Sequence, residues 1–252
     1  VTTATLALRI DAPMQSWGVR SRFTNRFTAT EPTKSGVVGL LAAACGVERT
    51  DDARIRELAD LRMGVRVERE GLLERDYHVT QDVPNTKGKE HRTIESNRYY
   101  LADALFLVVV EGAVETAERL DDAVRNPHWP LFFGRKAFVP AAPLIERDKW
   151  RRRRWGTGVH PGTLEERLEE HPWLENRDEQ RNEVGLVNGD VWLRTVADVR
   201  LSEQSDRTFP AELRHDHPES FAHGDRRFRS RPVCAGHVKL KDAMITGVDP
   251  CS

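Results

Sequence analysis

Two stretches of this chain carry side chains that could do chemistry on a polyanion. Between Pro13 and Gly36, Arg20, Arg22, Arg26 and Lys34 stand against one acid, Glu31, with Trp17, Phe23 and Phe27 among them. Aromatic rings stack on bases and arginines pair with phosphates, so this mixture suits single-stranded RNA. Ser35, read as a helix N-cap, and Gly36 would offer free backbone N–H groups to a phosphate. The same residues would equally suit a loop packed on a sheet with its cations solvated, and residue types alone leave both readings open. The PTKSG string (Pro32 to Gly36) is not a P-loop, because no glycine stands before Lys34 or five residues earlier.

The second stretch, Tyr77 to Arg98, holds His78, Lys87, Lys89 and His91. Metal-independent RNA cleavage needs a base for the 2′-hydroxyl, an acid for the leaving oxygen and a cation for the phosphorane. His and Lys can fill those roles if the fold brings them together. Nothing in the sequence fixes His78 near His91, and solvated loop residues remain the plain alternative.

Other features are less specific. Gly134 in PLFFGRKAF permits either a turn or a close backbone approach to a ligand. Arg151 to Arg154 could meet phosphates, an acidic partner, or the acid-rich segment 163–183 of the same chain, which reads as a solvated helix or linker. His215, His217 and His223 have no nearby cysteine to complete a tetrahedral set, so neither a metal nor another cofactor is expected. Cys45 lies in an apolar helix and reads as a small core residue.

These residues need elements to hold them. Leu6, Leu8 and Ile10 alternate as in a strand that stops at Pro13; residues 14–34 show no period and read as a long loop. A helix over Ser35–Cys45 ends at Gly46, a second carries Ile55, Leu58 and Leu61, and Met63, Val65 and Val67 mark a strand. After the polar excursion, Ala104–Val110 is a continuous apolar strand, followed by Val114, Ala117, Leu120 and Val124 at helical spacing. Strand, helix, strand, strand, helix is most of the split βαβ pattern, so the expected class is α+β with an RRM-like (ferredoxin-like) unit over residues 1–145. Its middle hairpin is lengthened over 70–103. Residues 146–252 read as a smaller, irregular, β-rich region with strand character at Val191–Leu201 and His237–Thr246.

Composition sets the limits. The 252 residues carry 39 basic and 40 acidic side chains for a net charge of −1, which excludes a uniformly basic nucleic-acid coat but not a local groove. The longest apolar run, Val37–Cys45, is far short of the roughly 20 residues of a membrane helix. Three cysteines without CxxC spacing favour a reducing compartment, hence the cytoplasm.

In order, LRIDAPMQSWG, PTKSGVVGLLAAACG, Asp76–Tyr77–His78, Arg98 to Phe106 and PLFFGRK resemble the CasD family, the RAMP-type subunit of the type I-E CRISPR surveillance complex, Cascade. The resemblance covers about the first 140 residues. It implies a non-catalytic subunit that caps the 5′ handle of crRNA, with an RRM-like core and a hairpin thumb. It also implies contacts to the backbone subunit and to the large PAM-reading subunit, and through the complex to target DNA. Carried over by motif, Gln15, Trp17, Lys34 and Ser35 would lie along the handle, with Tyr77, His78 and Arg98 at the base of the thumb and Arg135 nearby. A related branch of the superfamily cleaves RNA with Tyr, Lys and His, which keeps the KGKEH string (Lys87 to His91) in view.

Overall fold

The computed structural model describes residues 3–22, 24–85, 87–146, 156–175, 190–199 and 211–246. The first half runs β1 (Thr3–Asp11), β2 (Met14–Gln15), β3 (Gly18–Arg22), β4 (Asn25–Thr28), α1 (Lys34–Ala44), α2 (Asp52–Asp60), β5 (Arg62–Arg69), β6 (Leu72–Val83), β7 (Arg92–Ala102), β8 (Leu105–Ala113) and α3 (Val114–Arg125). Then come β9 (Gly158–Pro161), α4 (Leu164–Glu170), β10 (Trp192–Asp198), β11 (Glu212–Ser220), β12 (Arg227–Lys239) and a short α5 (Asp242–Thr246).

The main sheet has the order β11-β12-β10-β5-β8-β1-β9, with every neighbouring pair antiparallel. On one face Leu6, Leu8, Ile10, Phe106, Val108 and Val110 pack against α1, α2 and α3. On the other, Ala7, Leu105, Leu107 and Val109 meet Leu164, Leu168 and Leu174. β8 is apolar at consecutive positions because both its faces are covered.

The acid-rich segment is therefore no solvated linker in its described part, residues 163–175. Thr163 caps α4 in a reciprocal capping box with Glu166, while Leu164 and Leu168 point into the sheet. Two fully buried arginines tie the segment down. Arg9 donates to the Leu174 carbonyl at 2.6 Å, and Arg66 donates to the carbonyls of Leu168 at 2.8 Å and Pro172 at 3.0 Å. The Glu68 carboxylate pairs with Arg66 and accepts the Leu174 N–H at 2.9 Å. Acids exposed on one side of α4 mask an apolar underside of only two leucines, which is why composition alone suggested a linker.

Other expectations shift in detail. Thr33, not Ser35, caps α1, its hydroxyl accepting the Gly36 N–H. The strand expected at His237–Thr246 ends at Lys239, and Asp242–Thr246 is helical with Met244 buried. β10 pairs with β5 and carries β12 and β11 beyond it, so the main sheet runs unbroken across the expected boundary at 145/146. Arg151–Arg154 and residues 176–183 lie outside the described residues.

Residues 14–34 are not a featureless loop. β2, β3 and β4 join a second sheet of order β2-β7-β4-β3, with β6 on the far edge of β7. Strands of two, five and four residues are too short for periodicity to register. The excursion is a long antiparallel hairpin: Leu72 pairs with Ala102 and Thr80 with Ile94. Its turn is closed by the Asn85 side chain, whose oxygen accepts the N–H groups of Lys87 and Lys89.

Candidate nucleic-acid interface

The motif residues divide into those that build the molecule and those left facing out. Gln15 and Trp17 belong to the first group. Gln15 is fully buried; its Nε2 donates to the Ala104 carbonyl at 2.7 Å, and its Oε1 accepts from Trp17 Nε1 at 3.2 Å. Trp17 is 1% exposed, lies 5.8 Å from the Phe133 ring, and sits so close over α1 that a Cβ on Gly36 would come within 2.7 Å of it. Both side chains are occupied inside the fold. The glycine of PTKSG is thus required by the tryptophan of PMQSWG.

Lys34 is 4% exposed. Its Nζ donates to Asp198 Oδ2 at 2.7 Å and to the Leu61 carbonyl at 2.8 Å. Burial pulls the ammonium below its usual pKa, while Asp198 opposes the shift. Asp198 also binds Arg231, and Arg231 forks onto Asp216, which accepts the Lys34 backbone N–H at 2.8 Å. Glu31, also buried, accepts from Arg194 and Arg214. The expected phosphate-binding helix start is instead a buried ionic joint that fastens β10–β12 to α1. Ser35 is half-buried, its hydroxyl 3.4 Å from that of Thr33.

Gly134 has φ +93°, and a Cβ there would lie 1.9 Å from the Ser16 carbonyl oxygen. The close approach it permits is to the PMQSWG backbone, not to a ligand.

The four hairpin residues considered for catalysis do not converge. His78 stands opposite Ser96, whereas His91 lies beyond the Val83–Arg92 pair, with its Nδ1 2.7 Å from Asp82. The five residue steps from His78 to Val83 span up to roughly 17 Å along β6, which keeps His78 well away from the turn. Lys87 and Lys89 are exposed near the turn.

What faces out is the second sheet. Residues in register across strands share a face. One face carries Asp76, Arg98 and Arg26 in a row, with His78 exposed beyond them. Arg98 donates to Ser96 Oγ at 3.2 Å; Arg135 donates to the Tyr99 carbonyl at 2.8 Å and lies 5.2 Å from the Phe138 ring centroid. Burial and then the neighbouring Arg98 lower the Arg135 pKa, against the pull of Asp76. An anion here would relieve that repulsion.

The opposite face carries Tyr77, Asn97 and Asn25 in one row and Arg75, Tyr99 and Phe27 in the next. Phe27 stacks on Tyr99 with centroids 5.2 Å apart and planes 14° off parallel. The Tyr77 hydroxyl is hydrogen-bonded to Glu95, which raises its pKa. Arg20 and Arg22 fall on β3, where Arg22 is opposite Asn25 in register; their side chains lie outside the described residues. The sequence reading missed Arg75 and the Phe27–Tyr99 pair, whose partners are 72 positions apart. The alternation of Arg75, Tyr77 and Val79 was the available signal for a strand face.

A model of the family described as CRISPR-associated protein (Cas_Cas5) matches residues 5–234. The chain belongs to that family. The Cascade subunit CasD of Escherichia coli K12 is 33% identical over 155 residues, 56% of this chain and 69% of that protein. A solved chain titled "CRISPR RNA-guided surveillance complex" superposes with TM-score 0.73 at 28% identity, over 96% of this Cas5-family chain and 92% of its own length. A second, titled "Crystal structure of Cas protein", gives TM-score 0.67 at 35% identity over 96% and 97%.

Proposed function

We propose that this chain is a non-catalytic subunit of a type I-E CRISPR surveillance complex, holding the 5′ handle of crRNA on its second sheet. The observation that carries the reading is one small sheet that bears Arg26 and Arg98 on one face, with Arg135 beside Arg98, and the stacked Phe27 and Tyr99 on the other. Residues 14–30 add three arginines and no acid, while the hairpin 72–102 balances five acids with five bases. The excess positive charge therefore comes from β3 and β4. The likeness to CasD and to a surveillance-complex chain supports the same assembly, with the backbone and large PAM-reading subunits as neighbours.

The main-sheet order β5-β8-β1-β9, with α1 and α3 on one face, follows the split βαβ pattern and supports an RRM-like core. In this core the other sheet face is closed by α4, so RNA is directed to the hairpin, which acts as the thumb.

The test is a gel of the purified chain with labelled repeat RNA in EDTA, beside the same RNA carrying 2′-deoxy substitutions, and a parallel assembly with partner subunits. Intact RNA retained in the assembly is expected, with log K falling against log salt at about −0.7 per phosphate contact. Cleavage abolished by a 2′-deoxy group would overturn the non-catalytic role. Assembly that proceeds with RNA unbound by the wild type would overturn the handle role.

A further inference from the structure

We infer that Phe27, Tyr99, Asn25 and Asn97 form a slot for one unpaired nucleobase, in which a base is stacked on Phe27 and read along its edge by the asparagine pair. The inference rests on the RNA-binding reading above and assigns it a specific subsite.

Phe27 is 46% exposed although it already rests on Tyr99, so one side of its ring is covered and much of the remainder is open to solvent. Tyr99 is half-buried, and its backbone carbonyl is held by Arg135 at 2.8 Å and by Ser16 Oγ at 3.4 Å. The lower ring is therefore fixed by the backbone beneath it, and the pair is a preformed platform. Every base has a π-face, so such a platform accepts unpaired bases generally.

The row beside it supplies polarity. Asn97 Nδ2 donates to Asn25 Oδ1 at 3.3 Å, across the parallel pairing of β7 and β4. That bond uses one N–H and one oxygen lone pair of the two amides. Three amide hydrogens, the Asn97 oxygen and a second lone pair on the Asn25 oxygen remain, and donors beside acceptors match the pattern a base edge presents. The neighbouring row on the same face lies two residues along the strand, roughly 6.6 Å away. That is close enough for a base on Phe27 to reach the amides.

Charge favours RNA as the occupant. Arg75 stands opposite Tyr99 on this face, and Arg26 precedes Phe27 on the other. Glu95, bonded to the Tyr77 hydroxyl, stands on the far side of the asparagine row from Phe27 and repels a phosphate backbone from that end. The sugar-phosphate chain is thus steered toward Arg75. An apolar protein segment would leave the remaining donors and acceptors of the two amides, and Arg75, facing it unsatisfied.

The experiment is a coupling measurement on the full chain, assembled with its partner subunits, using repeat RNAs that each carry one abasic nucleotide. Wild type, Phe27→Ala and Phe27→Trp are compared with every RNA, and melting temperatures are recorded. At one position, removing the base should weaken wild-type binding about 5- to 100-fold, the range expected for one stacked base. The same abasic RNA should bind Phe27→Ala no worse than intact RNA does, and Phe27→Trp should restore the penalty. The salt slope should be identical for all three proteins. Asn97→Ala should reduce discrimination among bases at that position alone. If wild type binds RNA but no abasic position couples to Phe27, the slot is wrong and the handle reading stands. If wild type holds no RNA, the handle reading itself has failed. A uniform loss across all RNAs with a lowered melting temperature would mark Phe27 as structural and overturn the slot.

Discussion

At Lys34 the ammonium has exchanged water for Asp198 and the Leu61 carbonyl, and its neighbours are the other charges of a buried joint. A buried ion pair is costly to break from one side, because the partner stays behind. Lys34→Met should cost about 3 kcal/mol, the low end for such breaks since Asp198 keeps Arg231. For a chain this size that is a fall of roughly 6–12 °C in Tm, measured by calorimetry. RNA affinity per folded molecule and its salt slope should not move; a lower slope with unchanged Tm would return Lys34 to the interface. The sequence could not separate Lys34 from Arg26, or Trp17 from Phe27. All four are the right types in one polar stretch, and what divides them is contact with α1 and with strands 160 to 200 positions downstream.

Among the elements, α4 and the turn after it were least legible, and they close one face of the main sheet. His171 closes the segment. It is fully buried, and burial, with Arg66 beside it, pushes its pKa down to about 3 against the bonds to the Pro172 and Gly156 carbonyls. The unfolded chain takes up a proton near pH 6.5 and the folded one only near 3, so stability contributed by the neutral ring is complete above pH 6.5 and falls as acid is added. The slope from this residue approaches 1.4 kcal/mol per pH unit below about pH 6. Urea unfolding at pH 7.5, 6 and 5 should show that loss, and His171→Phe should flatten the curve between pH 6 and 5. An unchanged curve would mean the ring is already charged when folded. By contrast β1, α1, β5, β8 and α3 were legible, because each buries a stripe or a face wide enough to impose its period on the residues.

Across the whole molecule, the two halves of the chain complete one another. β9 and α4 close an edge and a face of the sheet begun by residues 3–113, and β10 covers the outer edge of β5. A fragment of residues 1–146 would expose Ala7, Leu105, Leu107 and Val109 together with both sheet edges. It should be aggregation-prone and lack a cooperative melt, whereas the full chain should unfold in one calorimetric transition. A soluble, cooperatively melting fragment would restore the boundary at residue 145. That boundary was drawn where composition changes, but composition reports surface, and the sheet continues beneath it.

The hairpin of β6 and β7 stands apart from this mutual closure, since its outer residues pair with each other and with β4 rather than with the main sheet. Its length is accordingly a quantity evolution can alter without disturbing the core, but only in even steps. Deleting two residues from each strand would retract the turn by roughly 7 Å and keep every side chain on its face. Deleting one from each would exchange the two faces beyond the cut, presenting amides where cations stood. Hairpins of this construction should therefore differ between relatives by whole pleats.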